Sequence, residues 1–222
     1  MESTRVMRAA GVAGILAAVL ILAGEYYSTK GMPAIGADAA SWTRWVDAEE
    51  GPIEIGVYLL LVPGLLLFLV MLGALISVLP RNRMSAEVST WGGLAFFVCM
   101  ALSGVLASTT ASTIGYFDGF EDPQAVATLT GISAGFHLTI VAAWALALTM
   151  VGTAVGLRSA GLLSGRLRTA AFVLAGLTVA TGVLGAGMLL ALVWIVAVSI
   201  GLLRHSGARP ATVDQDVAPV PS

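Results

Sequence analysis

The chain has 222 residues, of which 58% are apolar and 11% charged, with a mean hydropathy of +0.93. Soluble domains average roughly 45–50% apolar and about 25% charged residues, so one water-soluble core of this size cannot hide the excess, and a soluble globular enzyme is excluded. A net charge of -2 excludes a basic nucleic-acid binder, the lone Cys99 excludes an intramolecular disulfide or a cysteine-based zinc site, and two histidines leave little for haem or metal.

A bilayer core about 30 Å thick takes roughly 20 apolar residues of helix. Six stretches qualify, the last two only as a pair. The first covers residues 9–24, with Glu25, Tyr26 and Tyr27 at its end. No small-x-small cleavage site precedes Glu25, and Glu25 stands where a lipoprotein signal would need cysteine, so the segment reads as a retained anchor. Glu25 would close the helix at its C-terminus, where the dipole disfavours a negative charge. Lys30 is the local candidate to compensate it. Glu25 could also titrate at the mouth of a cavity, although snorkelling at the interface is the simpler reading.

The outer loop, 28–52, is the longest. Asp38 could cap a short helix there, with Trp42, Trp45 and Val46 on one face and Arg44 and Asp47 elsewhere. Such a helix would lie on the outer membrane surface. The preferred reading is plainer: the tryptophans join Tyr26, Tyr27 and Tyr116 in an interfacial aromatic belt. The second span, 53–79, opens at Gly51-Pro52, where proline occupies a first-turn position, and Glu54 there suits the helix dipole. Pro63 should kink this span.

The third span, 88–114, carries Ser103, Ser108, Thr109, Thr110, Ser112 and Thr113 in its outer half. They could line a wet cavity, but they surround the helix, which favours bonds to its own backbone or to a neighbour. The next loop holds Asp118, Glu121 and Asp122. Three close carboxylates could take a hard cation, but the spacing fits no EF-hand, and Asp122-Pro123 reads as the cap of the fourth span. That span lies within 125–157. His137 falls near its outer boundary, where it could exchange a proton with Asp118 or Glu121, or bond Ser133 one turn earlier. The structural role is preferred, and with His205 at the other side a bis-histidine haem is excluded. Gly131-x-x-x-Gly135 and Gly152-x-x-x-Gly156 read as close-packing seams, more readily internal than between subunits.

Residues 169–203 are too many for one ordinary span. Halved, each part reaches about 26 Å, and Gly182, Gly185 and Gly187 allow a tight hairpin between them. One long tilted helix is the alternative. Charge placement favours two spans. With six spans and both ends inside, Arg5, Arg8, Arg81, Arg83, Arg158, Arg166, Arg168, Arg204 and Arg209 are all cytoplasmic, nine of the eleven basic residues. Glu25, Asp38, Asp47, Glu49, Glu50, Glu54, Asp118, Glu121 and Asp122 fall outside. The tail, 206–222, is polar and proline-containing and reads as disordered and cytoplasmic.

The stretches RAAGVAGILAA from Arg8, GRLRTAAFVLAG from Gly165 and VWIVAVSIGLLR from Val193 resemble small bacterial multi-span membrane proteins known only as a domain of unknown function. The resemblance implies about six spans and no established activity, and it carries over no functional residues.

The sequence therefore predicts an all-α polytopic bundle. Residues 1–205 form six transmembrane helices with cytoplasmic N- and C-termini. There is no Walker loop, HExxH, GxSxG or CxxC, and no nucleophile, base and oxyanion donor at one depth. The expected function is a non-catalytic accessory or small-solute-handling role in the cytoplasmic membrane. Its expected partners are the lipid bilayer and another membrane protein, with no nucleic acid, cofactor or metal. A small transporter or channel with a polar outer cavity is the second reading, and a membrane enzyme using outer carboxylates the third. Both draw on one candidate cluster: Glu25, Asp118, Glu121, Asp122 and His137.

Overall fold

A backbone N–H or C=O inside a bilayer has no water to turn to, so a spanning segment must satisfy itself as a helix. The computed structural model of the protein follows that rule. It describes residues 2–34, 37–79, 84–116, 125, 137–182 and 186–205, with the backbone alone at 2–4, 113–116, 137 and 205. Among them every regular element is helical. In chain order these are α1 (Glu2–Thr29), α2 (Ala39–Ala48), α3 (Glu50–Glu54), a π-helical segment (Ile55–Leu61), α4 (Val62–Ser77), α5 (Met84–Tyr116), α6 (His137–Ser159), α7 (Gly165–Gly182) and α8 (Gly187–His205).

Among the described residues five stretches are long and apolar enough to cross a membrane: Arg5–Thr29, Glu50–Ser77, Met84–Ser112, Leu138–Ser159 and Gly187–Arg204. Helix α7, the expected fifth of six spans, falls short. Its 18 residues include Arg166 and Arg168 in the first turn, so the apolar part runs only about 21 Å against a core of about 30 Å. The alternative of one long tilted helix over 169–203 is overturned. Helix α7 ends at Gly182, α8 starts at Gly187, and the two pack together. A Cβ on Gly187 would lie 2.6 Å from Thr178 O, so the chain doubles back where glycine permits close backbone approach.

Side-chain size sets the register of the remaining contacts. A Cβ on Gly24 would stand 2.8 Å from Gly56 O, and one on Gly56 would stand 2.9 Å from Gly24 O. The end of α1 and the π-helical segment therefore touch backbone to backbone, as small residues allow in membranes. A Cβ on Gly152 would lie 2.8 Å from Ser85 O, so the seam expected at Gly152 and Gly156 is internal, against the start of α5. Gly131 and Gly135 lie outside the described residues. Successive contacts alternate direction: Gly11 meets Leu203, Gly104 meets Leu61, Gly92 meets Ala145, and Trp144 Nε1 donates to Val179 O at 3.2 Å.

The core these contacts enclose includes Ile21, Leu65, Met100, Leu146, Met150 and Ile195, with Phe68 and Phe96 edge to face at 4.9 Å. Outside it, Val12, Val19, Leu66, Val70, Val98, Leu148 and Val193 are exposed, and Trp91 is 71% exposed. Water-soluble monomers rarely show so large an apolar surface; around a helix bundle it is the lipid-facing belt.

Just before Pro63, the expected site of a kink, the helix widens into a π turn in which Val62 N–H reaches back five residues to Val57 O. Proline offers no N–H, and its ring presses on the carbonyl one turn earlier. The wider π turn gives that carbonyl room.

Alternating direction sorts the charges. Arg5, Arg8, Arg158, Arg166, Arg168 and Arg204 share one end of the bundle with Leu79, Ser85 and Leu203. Glu25, Glu49, Glu50, Glu54 and α2 share the other. Arg81, Arg83 and the tail 206–222 lie outside the described residues.

Candidate functional site at the acidic end

Helix α2 begins as its sequence dictates. Asp38 is the N-cap: its Oδ1 accepts from Ser41 N at 2.7 Å and its Oδ2 from Ser41 Oγ at 3.1 Å. The Ser41 backbone N–H, then its hydroxyl, hold the Asp38 carboxyl below the usual carboxylate range, and the charge of Arg44 adds to this. The helix is not where the sequence put it. Trp42 and Trp45 are 8% and 7% exposed, and with Val46 they pack on Ile53 and Ala111. Their rings meet edge to face at 6.0 Å. The belt reading is therefore corrected for these two residues: the apolar face of α2 is turned to protein and forms a second small core. Trp45 Nε1 also donates to Lys30 O at 2.8 Å, which ties α2 to the end of α1. Tyr26 and Tyr27 are exposed, as the belt requires.

Glu25 does not close its helix. Helix α1 continues to Thr29, and the Glu25 carbonyl accepts from Thr29 Oγ1 at 2.6 Å and Ser28 Oγ at 3.3 Å. The side chain is half-buried one turn before the helix end, beside the Gly24–Gly56 contact. Lys30 contributes its backbone carbonyl to Trp45.

Two hydroxyls of the third span bond their own helix. Ser108 Oγ donates to Val105 O at 3.1 Å and Thr110 Oγ1 to Leu106 O at 2.8 Å. Ser112 is different. Its Oγ lies 2.8 Å from Glu54 Oε1 and 2.8 Å from Ser108 O. One hydroxyl proton can serve only one of these acceptors at a time. Glu54, read from the sequence as a dipole partner, thus fastens the start of the second span to the end of the third. The 58-residue separation hides this pair from any local pattern. The signal available was topological: antiparallel neighbours bring the first turn of one span beside the last turn of the next.

Of the candidate cluster, Glu25 lies on α1 and His137 is the first residue of α6; Asp118, Glu121 and Asp122 lie outside the described residues. Helix α1 packs on the π-helical segment, α4 and α8, whereas α6 packs on α5, α7 and α8. Among the described residues no group of three or more His, Cys, Asp or Glu side chains could hold a metal. No protein-family model, curated protein or solved structure matches the chain. The resemblance to small bacterial multi-span proteins therefore rests on the quoted stretches alone.

Among the described residues of this end, the Glu54–Ser112 pair joins two helices. An activated nucleophile needs a base that is itself oriented by a third group. Among the described residues, Ser112 is the hydrogen-bond partner of Glu54, and it is the start of the second span that the pair holds in place.

Proposed function

We propose that the chain is a six-span protein of the bacterial cytoplasmic membrane, with both termini inside, working as a non-catalytic accessory or small-solute-handling component. The segregation of charge carries the topology. Cytoplasmic loops collect Lys and Arg, and the bundle gathers Arg5, Arg8, Arg158, Arg166, Arg168 and Arg204 at one end. Helix α7 counts as a span, the fifth of six, because arginines in its first turn can snorkel to the interface while its far end meets Trp144.

The acidic end supports a non-catalytic role. Asp38, Trp45, Glu54 and Ser112 are each committed to a hydrogen bond that locks α2 or joins two spans. Solute handling is favoured by Glu25, a half-buried carboxylate beside a π-helical turn, since both features recur at functional sites in membrane helices.

Single cysteines beside Asp122 and beside Arg166, in a Cys99→Ser background, test the topology with a membrane-impermeant thiol reagent. The outer position labels in intact cells and the inner one only after lysis; equal labelling of both collapses the topology. Purified protein in proteoliposomes tests the role. Turnover of a lipid or isoprenoid substrate refutes it, and a solute flux lost in Glu25→Gln supports the solute-handling arm.

A further inference from the structure

The basic end is built unlike the acidic one. Helix α7 buries Ala175, Thr178 and Gly182, all in its second half. Towards Gly165 it parts from the bundle and leaves a half-open cavity of about 460 Å³ between α4, α6, α7 and α8, within the range of about 300–1,000 Å³ for small-molecule sites. Its α7 wall is Leu167, Ala170, Ala171 and Leu174. That spacing is the stripe of a packing face, continuous with the residues that do pack. Trp194 and Gly201 form part of the α8 wall, and Arg204 stands at the mouth.

The turn that rims the cavity is closed by its own hydrogen bonds. Gly161 takes φ +73°, Leu162 N–H donates to Leu157 O at 2.9 Å and Gly161 N–H to Arg158 O at 3.1 Å. This is a Schellman motif, and its hydrophobic pair, Leu157 and Leu162, lines the cavity. Arg158 donates to Leu163 O at 3.3 Å, and Ser164 caps α7 by accepting from Leu167 N–H at 3.3 Å. Arg166 and Arg168 lie in the first turn of α7, on either side of Leu167, which lines the cavity. Glu87, the carboxylate in the first turn of α5 at this end, is on a helix that contributes nothing to the wall.

We propose that this cavity binds one anionic phospholipid of the surrounding bilayer, with an acyl chain against the Leu167–Leu174 stripe and Trp194, and its phosphate at Arg204 and the first-turn arginines of α7, Arg166 and Arg168. The apolar wall selects a hydrocarbon chain. The arginines select a negative head, as basic pockets between membrane helices do, with a guanidinium geometry suited to phosphate. The inference rests on the bundle lying in a bilayer. It holds whichever end faces the cytoplasm, so cysteine labelling can fail without touching it.

Fluorescence quenching in lipid nanodiscs tests it, with phosphatidylglycerol brominated on its acyl chain as the probe in a phosphatidylcholine background. The part of the quenching lost in Trp194→Phe belongs to the cavity. It should saturate at a low fraction of phosphatidylglycerol, and Arg204→Gln, an exposed change, should raise the half-saturating fraction about fivefold, the worth of one basic side chain at an anionic surface. Ala170→Phe, also at an exposed position, should fill the cavity and remove the saturable phase even if Trp194→Phe fails to fold. Quenching that rises without saturation, or that is matched by brominated phosphatidylcholine or a brominated fatty acid, overturns the proposal. So does protection of Trp194 that grows with protein density, which would make a second copy the occupant.

Discussion

Replacing Trp45 with alanine should release α2 from the bundle while leaving the spans folded. A ten-residue helix is marginal alone in water, so α2 (Ala39–Ala48) owes its order to the face formed by Trp42, Trp45 and Val46. Trp45 is 7% exposed. An aromatic residue of this size buries about 150–250 Å², worth roughly 4–6 kcal/mol at about 25 cal/mol per Å², and an extended unfolded chain makes that an upper bound. Removal of a buried tryptophan side chain costs about 3–5 kcal/mol. Taking about 3 kcal/mol, the opening equilibrium of α2 shifts by roughly a hundredfold or more. Trp45→Phe keeps most of the bulk and loses the bond to Lys30 O, a loss of about 1 kcal/mol, or roughly fivefold. Hydrogen exchange read by mass spectrometry on a peptide covering residues 38–50 resolves both. Protection there should fall in that order, with peptides from α5 and α6 unchanged. Equal protection in all three proteins would show that α2 is held by something other than this core. A uniform loss across the chain would show that α2 is not a separate opening unit.

Ser112→Ala removes the tie to Glu54 and should lower detergent thermal stability by about 1 kcal/mol, the lower end for a half-buried bond, whereas Ser112→Thr keeps the hydroxyl and most of the stability. Gly152→Leu drives a side chain into Ser85 O and Ser89 and should unfold the α5–α6 pair, while Gly176→Leu, with nothing within 4 Å of its Cβ position, should leave the melting temperature unchanged. The capping carboxyl of Asp38 is held below its ordinary range by the Ser41 backbone N–H and hydroxyl. Its contribution to α2 is therefore complete above the ordinary aspartate value and disappears as pH falls through the depressed folded value. Exchange protection of α2 should fall in acid in the wild type, and this acid step should be missing in Asp38→Asn.

The spans were legible because lipid leaves the sequence no freedom. A long run such as 88–114 must be a helix, and α5 covers it with four further residues before and two after. The cap at Asp38 was legible because it is local, three residues from its donor. The destination of α2 was not. Two tryptophans on one helical face look the same whether that face meets headgroups or protein, and the deciding partner, Ala111, is distant in sequence. The end of α1 was misjudged for a related reason. Glu25 looked like a stop because it is charged, yet a helix ends when its backbone does, and Thr29 and Ser28 return their hydroxyls to the Glu25 carbonyl. The weakness of α7 was legible in part: Arg166 and Arg168 shorten its apolar length on paper, but that its first half stands away from its neighbours is a property of packing alone.

The two ends of the bundle follow from one difference in composition. At the acidic end the loop between the first two spans carries tryptophans and a capped helix, enough apolar area to close over Ile53 and Ala111 with protein. At the basic end the connection between α6 and α7 is five residues, 160–164, which are used up by a Schellman turn and a serine cap. Among the described residues none covers the Leu167–Leu174 stripe on α7, and this is the face the proposed acyl chain would take. Helix α7 buries residues of its second half only, and Arg166 and Arg168 lie in the first turn of the half left exposed, where a guanidinium group keeps its contact with water.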